Sequence, residues 1–177
     1  MINRRIPIAA LTLSAAGLVA ILMQEDYTGT AVVPTINDRP TVGFGSTFRD
    51  DGTPVKMGDT IRPPQAVKRS LLHVQKDEQR LKQCVTAPLS QVEYDVLVDF
   101  SYQYGVPTTC NSSMVRLANS GDYIGSCNAY TLYKRSGGYD CSTLIKDKFG
   151  FMQPNKRCWG VWTRNVDRRN RCLEAGE

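Results

Sequence analysis

An uncharged stretch of the chain follows two arginines, Arg4 and Arg5, and runs from Ile6 to Gln24. Two cationic residues before an apolar run are typical of an export signal. The run is also about as long as a membrane-spanning helix, which needs about 20 residues. It is rich in Ala and contains Pro7, and only Leu, Ile, Phe and Val contribute appreciably to insertion. We therefore expect a weak membrane anchor.

Three interpretations of this segment remain open. It is a signal peptide cut after Ala16, a permanent anchor, or a weak anchor that later leaves the membrane, and we favour the third. All three place the rest of the chain outside the cytoplasm, because the arginines stay inside. The sequence thus predicts a signal-anchor segment over 1–24 and one domain over 25–177.

Six cysteines all lie beyond the apolar run: Cys84, Cys110, Cys127, Cys141, Cys158 and Cys172. An even number of cysteines in an exported chain predicts disulfides, although their spacing leaves the pairing open. The chain has one histidine, His73, and no Cys-x-x-Cys pair. We therefore expect no metal and no cofactor, and we place His73 on the surface of a helix.

The composition is that of an ordinary globular domain, with 41% hydrophobic and 22% charged residues. The net charge of +5 favours a polyanionic partner. Residues 156–177 are basic, with six cationic side chains against three carboxylates, and form either a solvated helix face or a surface attracted to anionic wall polymer or lipid head groups. Nucleic-acid binding is not expected, because no groove-reading element with interleaved aromatic residues is evident.

Helices are predicted over much of the chain after residue 60 by apolar periodicity and by residues typical of helix ends. Ser90 and Glu93 form a capping box, and Gly105 ends that helix after Tyr104. The stretch 140–153 has no clear periodicity. The predicted helices cover 65–82, 90–104, 112–119, 122–133 and 163–172.

The region 27–50 differs, because β-branched residues, a turn at Asn37-Asp38 and two glycines predict a small β-hairpin lobe. In a regular strand Thr41, Gly43 and Gly45 would share one face. Glu25 precedes this lobe. A carboxylic acid that protonates a leaving oxygen, with a second group that holds water, is what glycoside hydrolysis requires. Glu25 and Thr41 are candidates for these two roles, and the alternative is a lone surface carboxylate.

The pattern Glu25…Thr41-Val-Gly-Phe-Gly resembles the catalytic signature of the phage-type lysozymes (glycoside hydrolase family 24). Four further segments resemble motifs of that family in the same order. The resemblance implies an α+β, mainly helical, lysozyme-like fold, in which a small β-hairpin lobe faces a larger helical lobe across a cleft. The four segments begin at Pro88, Phe100, Cys110 and Gly160.

The same resemblance implies an endolysin that hydrolyses the β-1,4 bond between N-acetylmuramic acid and N-acetylglucosamine in peptidoglycan. Glu25 corresponds to the general acid and Thr41 to the water-positioning threonine. The family's usual Asp is missing, because Pro34 and Thr35 stand near its place. Asp38 is either a substitute base or only a turn residue. A lytic transglycosylase and a non-catalytic, membrane-tethered wall-binding module are the alternative functions.

The weak anchor also resembles the signal-anchor-release segments of some phage endolysins. Glu25 lies two residues beyond Met23, so a membrane-spanning run would hold it at the bilayer surface. Release would let the segment refold into the enzyme and place Glu25 in the cleft. The expected partners are peptidoglycan strands and, through residues 6–24, the host inner membrane. We expect a monomer that is exported to the host periplasm and is initially tethered there.

Overall fold

The structure, a computed structural model, describes residues 4–34 and 38–176. The described residues form seven α-helices and three two-stranded antiparallel sheets, which confirms the predicted mainly helical α+β fold. The helices are α1 (Ala15–Gln24), α2 (Pro63–Cys84), α3 (Gln91–Tyr104), α4 (Val106–Cys110), α5 (Ser113–Asn119), α6 (Tyr123–Ala129) and α7 (Trp159–Glu174). The strands are β1 (Tyr27–Val32), β2 (Thr41–Phe44), β3 (Arg135–Ser136), β4 (Tyr139–Asp140), β5 (Leu144–Lys146) and β6 (Met152–Pro154).

Helix α3 forms the centre of the helical lobe. Its residues from Glu93 to Ser101 are all buried, and it contacts α1, α2, α4 and α7. The predicted capping box is confirmed: the Ser90 hydroxyl accepts from the Glu93 N–H at 3.2 Å, and the Glu93 carboxylate accepts from the Ser90 N–H at 2.8 Å. Gly105 ends the helix with φ of +81°, as a glycine past a helix end commonly does.

The other predicted helices are confirmed with shifted ends. Helix α7 begins at Trp159, earlier than the predicted 163, and the predicted helix over 122–133 consists of α6 followed by a 3₁₀ turn at Tyr130–Leu132. The stretch without periodicity, 140–153, contains strand β5 and the first residues of β6. Such short strands are too brief to leave a repeating apolar pattern.

The β-hairpin lobe is formed by β1 and β2, with Tyr27 opposite Phe44 and Val32 opposite Thr41. The predicted turn at Asn37-Asp38 lies partly outside the described residues. Gly43 and Gly45 both have φ of +72°, which breaks the alternation of a regular strand. The prediction that Thr41 and the two glycines share one face of a regular strand was therefore wrong: Gly43 is buried against Ala66 of α2, whereas Gly45 is exposed.

The N-terminal segment packs on the helical lobe in this structure. The backbones of Ile6 and Leu89 exchange two hydrogen bonds, of 2.9 and 3.0 Å. Ile8, Leu11 and Ile21 are buried in the same apolar core as α3. Within residues 4–34 and 38–176, no helix has both the length and the apolar character needed to cross a membrane.

Three buried carboxylates of the helical lobe each take hydrogen bonds from this N-terminal segment. Glu78 accepts from the Leu13 N–H at 2.7 Å, and Arg5 forms a bidentate pair with Glu93. Asp95 accepts from the Ser14 N–H at 3.0 Å and from its hydroxyl, which also caps α1. Because each carboxylate is about 5 to 6% exposed, these contacts fix the segment to the core and set the position at which α1 ends.

All six cysteines form disulfides, as predicted. The pairs, which the sequence left open, are Cys84–Cys110, Cys127–Cys172 and Cys141–Cys158. The second pair fixes α7 to α6, and the third closes the segment that holds β5 and β6. His73 is exposed, as expected, and lies edge-on to the Tyr102 ring.

Candidate active site

Glu25 lies at the end of α1, directly before the β-hairpin lobe. It is the residue at which α1 ends, with its N–H bonded to the Leu22 carbonyl. Its side chain is 25% exposed, so the carboxylate is partly enclosed and still open to a substrate. Helix α1 therefore delivers this carboxylate to the junction between the β-hairpin lobe and the helical lobe.

The Glu25 carboxylate is fixed by Arg164 of α7. The Arg164 Nη1 donates to Glu25 Oε1 at 2.8 Å, and its Nη2 donates to Asp99 Oδ1 at 2.8 Å. Arg168, one turn further along α7, is fully buried and donates to Asp99 Oδ2 at 2.8 Å. Two cations and two carboxylates thus alternate in a single network that links α1, α3 and α7.

The network shifts the pKa values of its buried members. Burial alone would raise the pKa of Asp99, but hydrogen bonds and attraction from Arg168 and Arg164 outweigh it and hold that pKa below its usual value. Burial opposes the charge of Arg164, yet Asp99 and Glu25 raise its pKa above the ordinary value. Arg164 and Asp99 are therefore both charged at neutral pH. Arg164 forms ion pairs with two carboxylates at once, those of Glu25 and Asp99.

The second glycine of the Gly43-Phe44-Gly45 segment faces the free oxygen of Glu25. A Cβ placed on Gly45 would lie 3.5 Å from Glu25 Oε2. Among the described residues, Oε2 accepts no protein hydrogen bond. One carboxylate oxygen is thus fixed by Arg164, and the other lies beside a residue without a side chain, where a substrate has room to approach.

A groove of about 420 Å³ begins at Gly45 and Tyr102. It continues past Phe48 to His73 and Lys76 of α2, so it lies between the loop after β2 and the helical lobe. The Tyr102 hydroxyl donates to the Phe44 carbonyl at 2.7 Å and thereby joins α3 to the β-hairpin lobe. Burial raises the pKa of Tyr102, and the nearby Glu25 carboxylate adds to this, so the hydroxyl keeps its proton.

The structure places Glu25 at this junction, Thr41 opposite Val32 in the hairpin, and Asp38 just before β2. Thr41 is half-buried at the start of β2, and its role with water stays a prediction. Asp38 is exposed, and its carboxylate accepts from the Arg39 N–H at 2.8 Å. This contact with the next residue does not decide between a turn residue and a base, so both roles of Asp38 stay predictions.

Comparison with known proteins identifies the family. A sequence model described as phage lysozyme matches residues 25–148, which is more than half of the chain. The chain belongs to the phage lysozyme family. It is therefore a glycoside hydrolase of the lysozyme type, and not the non-catalytic wall-binding module that the sequence left as an alternative.

Individual relatives of this lysozyme agree with that assignment. It is 30% identical to the endolysin of Salmonella phage P22 over 98 residues, which cover 55% of this chain and 67% of that relative. A solved endolysin from Escherichia coli O157:H7 phage FAHEc1 has a TM-score of 0.74 at 26% identity, covering 94% of this chain and 96% of its own. A P22 lysozyme mutant shows the same fold, with a TM-score of 0.71 at 23% identity over 92% and 99% of the two chains.

Sequence reasoning did not assign the lysozyme's arginine network to the site. It treated residues 156–177 as a basic surface, which is wrong for Arg164 and Arg168, because both are buried in ion pairs. One signal was present in the sequence. Arg164, Arg168 and Cys172 are spaced four residues apart, so they share one helix face, and a disulfide-bonded cysteine favours a buried face.

Proposed function

We propose that this lysozyme hydrolyses the β-1,4 bond between N-acetylmuramic acid and N-acetylglucosamine in peptidoglycan, with Glu25 as the general acid. The observation that supports this role is the asymmetric setting of the Glu25 carboxylate. Oε1 accepts from Arg164 at 2.8 Å, while Oε2 faces Gly45 beside the groove. A general acid must place its free oxygen next to the leaving oxygen of the glycosidic bond.

The network around Arg164 accounts for how the Glu25 carboxylate is oriented. Arg164 pairs with Glu25 and, through its other terminal nitrogen, with the buried Asp99 of α3. Because Asp99 anchors the guanidinium, Arg164 holds Glu25 Oε1 in place and leaves Oε2 directed toward Gly45. In our proposal Thr41 orients the attacking water and Asp38 is its alternative base.

Substitution of Glu25 by Gln tests the acid role. The Gln carbonyl still accepts from Arg164, but the side chain has no proton of suitable acidity to donate. We expect Glu25→Gln to reduce clearing of purified sacculi by about a hundredfold to ten-thousandfold while the thermal unfolding temperature stays near that of the wild type. Asp26→Asn, at the exposed neighbouring position, is the control and should keep its rate. A wild-type rate for Glu25→Gln would reject the assignment.

The products separate hydrolysis from transglycosylation. Hydrolysis leaves reducing sugar ends, whereas a lytic transglycosylase leaves anhydro ends, and mass spectrometry of digested sacculi distinguishes them. If Thr41 holds the water, Thr41→Val should slow the reaction far more than Thr41→Ser, which keeps the hydroxyl. Asp38→Asn should slow it only if Asp38 is the base.

We also propose that residues 6–24 first span the host inner membrane and later dock on the enzyme in the periplasm, where cleavage of the wall lyses the host. The low hydrophobicity of the segment supports its release from the membrane. The hydrogen bonds of Arg5, Leu13 and Ser14 to the helical lobe are the contacts by which the released segment would dock. The N-terminus of the active periplasmic protein tests this sequence of events. An intact segment is expected, and a terminus near Ala16 would contradict release.

A further inference from the structure

A hairpin projects from the lysozyme between Cys141 and Cys158, which are joined by a disulfide. Strands β5 and β6 pair with Leu144 opposite Pro154 and Lys146 opposite Met152. We refer to residues 141–158 as the cystine hairpin. Its base is fixed covalently and leads directly into α7, so its position relative to the helical lobe is restricted.

The cystine hairpin exposes an unusual amount of apolar surface. Phe149 and Phe151, on either side of its tip, are 73% and 67% exposed. Three further apolar side chains of the hairpin are also exposed, and a concentration of exposed apolar surface is typical of an interaction site. These three are Leu144, Ile145 and Met152.

The tip that carries the two phenylalanines is fixed by internal hydrogen bonds. Asp147 Oδ1 accepts from the Phe149 N–H at 2.8 Å and from the Phe151 N–H at 3.0 Å. Gly150 between them has φ of +87°, a conformation that suits glycine. The exposed rings are thus held on an ordered turn, which lowers the entropy that a partner must remove when it binds them.

Cationic residues flank this apolar tip in the sequence, and Lys148 Nζ lies 4.9 Å from the centre of the Phe149 ring. The segment from Lys134 to Arg157 carries six cationic side chains and two carboxylates, which accounts for most of the chain's net charge of +5. Asp140 is paired with Lys134 at 2.9 Å, and Asp147 is engaged in the turn. The segment therefore joins a net positive charge to an exposed apolar tip, and its partner should be anionic and able to accept apolar side chains.

A bilayer with anionic head groups meets both requirements. Phenylalanine side chains insert at the boundary between head groups and acyl chains, while lysine stems extend their ammonium groups toward phosphate. The lysines could serve either a polysaccharide or a phosphate surface, but the two exposed phenyl rings have no polar group for a sugar hydroxyl and favour an acyl-chain boundary. We propose that the cystine hairpin contacts the surface of a membrane rich in anionic phospholipid through Phe149, Phe151, Lys146 and Lys148.

Vesicle sedimentation with the full-length, disulfide-bonded lysozyme tests this proposal. The wild type should bind vesicles of phosphatidylglycerol and phosphatidylethanolamine more tightly than vesicles of phosphatidylcholine. Phe149→Ser with Phe151→Ser should weaken binding to the anionic vesicles by at least roughly tenfold. The double variant Lys146→Ser/Lys148→Ser should bind the anionic vesicles roughly fivefold more weakly for each lysine removed. This difference from the wild type should shrink at high salt.

Matched controls come from other surfaces of the chain. Ile124 is 70% exposed on α6, and Lys68 is exposed on α2, so Ile124→Ser and Lys68→Ser should bind as the wild type does. Equal thermal unfolding temperatures establish that the hairpin variants are folded. Because every variant keeps the N-terminal segment, binding by that segment alone would leave all of them equal to the wild type and would overturn the proposal.

A second measurement does not depend on loss of binding. The fluorescence of a Phe149→Trp variant is compared with that of the wild type, which already contains two tryptophans. When anionic vesicles are added, the emission of the new indole should shift to shorter wavelength and be quenched by brominated lipid, and neither change should occur with phosphatidylcholine vesicles. An unchanged spectrum with bound vesicles would overturn the proposal. Reduced binding of the hairpin variants to lipid-free sacculi, with vesicle binding retained, would also overturn it and assign the hairpin to the wall instead.

Discussion

Arg164 and Glu25 are joined by a 2.8 Å ion pair although 139 positions separate them in the sequence. This contact connects the last helix of the lysozyme with the end of α1. It means that the candidate acid is positioned by α7, and that α7 is in turn fixed through Asp99 to the central helix α3.

Replacement of Arg164 by Lys should damage both stability and activity. Lysine keeps the charge but cannot bridge Glu25 and Asp99 with a planar pair of donors. We expect the free energy of unfolding to fall by about 1–3 kcal/mol and the lytic rate to fall by about tenfold or more, as measured by urea denaturation and clearing of sacculi. Arg171→Lys alters a more exposed pair at 3.7 Å and should change neither. An active, stable Arg164→Lys variant would show that the bridge is dispensable.

Gly45→Ala should reduce activity more than its effect on stability explains. The substitution forces a side chain into a left-handed conformation, which costs about 1 kcal/mol, and places a methyl group 3.5 Å from Glu25 Oε2. Gly58 has a similar φ of +92°, no neighbour within 4 Å and no place in the groove lining. Gly58→Ala should therefore match the loss of stability without the loss of rate, which we expect to be at least about tenfold for Gly45→Ala. Equal lytic rates in Gly45→Ala and the control variant would contradict the proposal that the substrate approaches Glu25 Oε2 beside Gly45.

Gly17→Ala should destabilise the protein, although alanine is the better helix former by about 1 kcal/mol. A Cβ on Gly17 would lie 2.7 Å from Leu13 Cδ1 and 2.8 Å from Asp95 Cγ, so α1 would have to move away from α3. Because α1 ends at Glu25, sacculus clearing should fall together with the unfolding temperature. Gly160, a helical glycine of α7 with no neighbour within 4 Å, provides the control, and Gly160→Ala should be neutral or stabilising. Equal unfolding temperatures for Gly17→Ala and Gly160→Ala would show that α1 and α3 are not closely packed at Gly17.

The lowered pKa of Asp99 predicts how stability depends on pH. An Asp in the unfolded chain has a pKa of about 4, and the pKa of Asp99 in the folded protein is lower. The contribution of Asp99 is therefore fully present above about pH 4 and is lost as the pH falls through the folded pKa. Asp99→Asn should cost about 3 kcal/mol or more at neutral pH, because it leaves buried arginines without their partner.

Urea denaturation at a series of pH values measures this dependence. The difference between the wild type and Asp99→Asn should narrow in acid. Asp167→Asn removes a half-exposed carboxylate. In this variant the free energy of unfolding should depend on pH as it does in the wild type. A constant difference across the acid range would show that Asp99 does not titrate as proposed.

Features set by neighbouring residues were predictable from the sequence. The capping box of Ser90 and Glu93 follows from a local pattern, and so do the end of α3 at Gly105 and most helix positions. The disulfides followed from an even count of cysteines beyond an apolar leader. The family resemblance added the placement of Glu25 before a glycine-containing strand.

Features set by distant residues were not predictable in the same way. Arg164 and Arg168 lie on a helix with Arg169 and Arg171, and composition does not distinguish the buried pair from the exposed one. Their burial depends on Asp99, which lies 65 and 69 positions away. The positive φ of Gly43, which turns it toward Ala66, likewise depends on how the hairpin packs on α2.

The three carboxylates that receive the N-terminal segment make that segment part of the enzyme's interior. If the chain began at Gly17, Glu78, Glu93 and Asp95 would lose the donors of Leu13, Arg5 and Ser14 and keep, among the described residues, only those of Tyr94, Ser90 and Gln91. Each lost hydrogen bond to a buried carboxylate costs about 1–3 kcal/mol unless water replaces the donor, so water would enter the core beside α3. The residues before α1 thus complete the core of the folded enzyme, and a protein without them would be less stable as well as shorter.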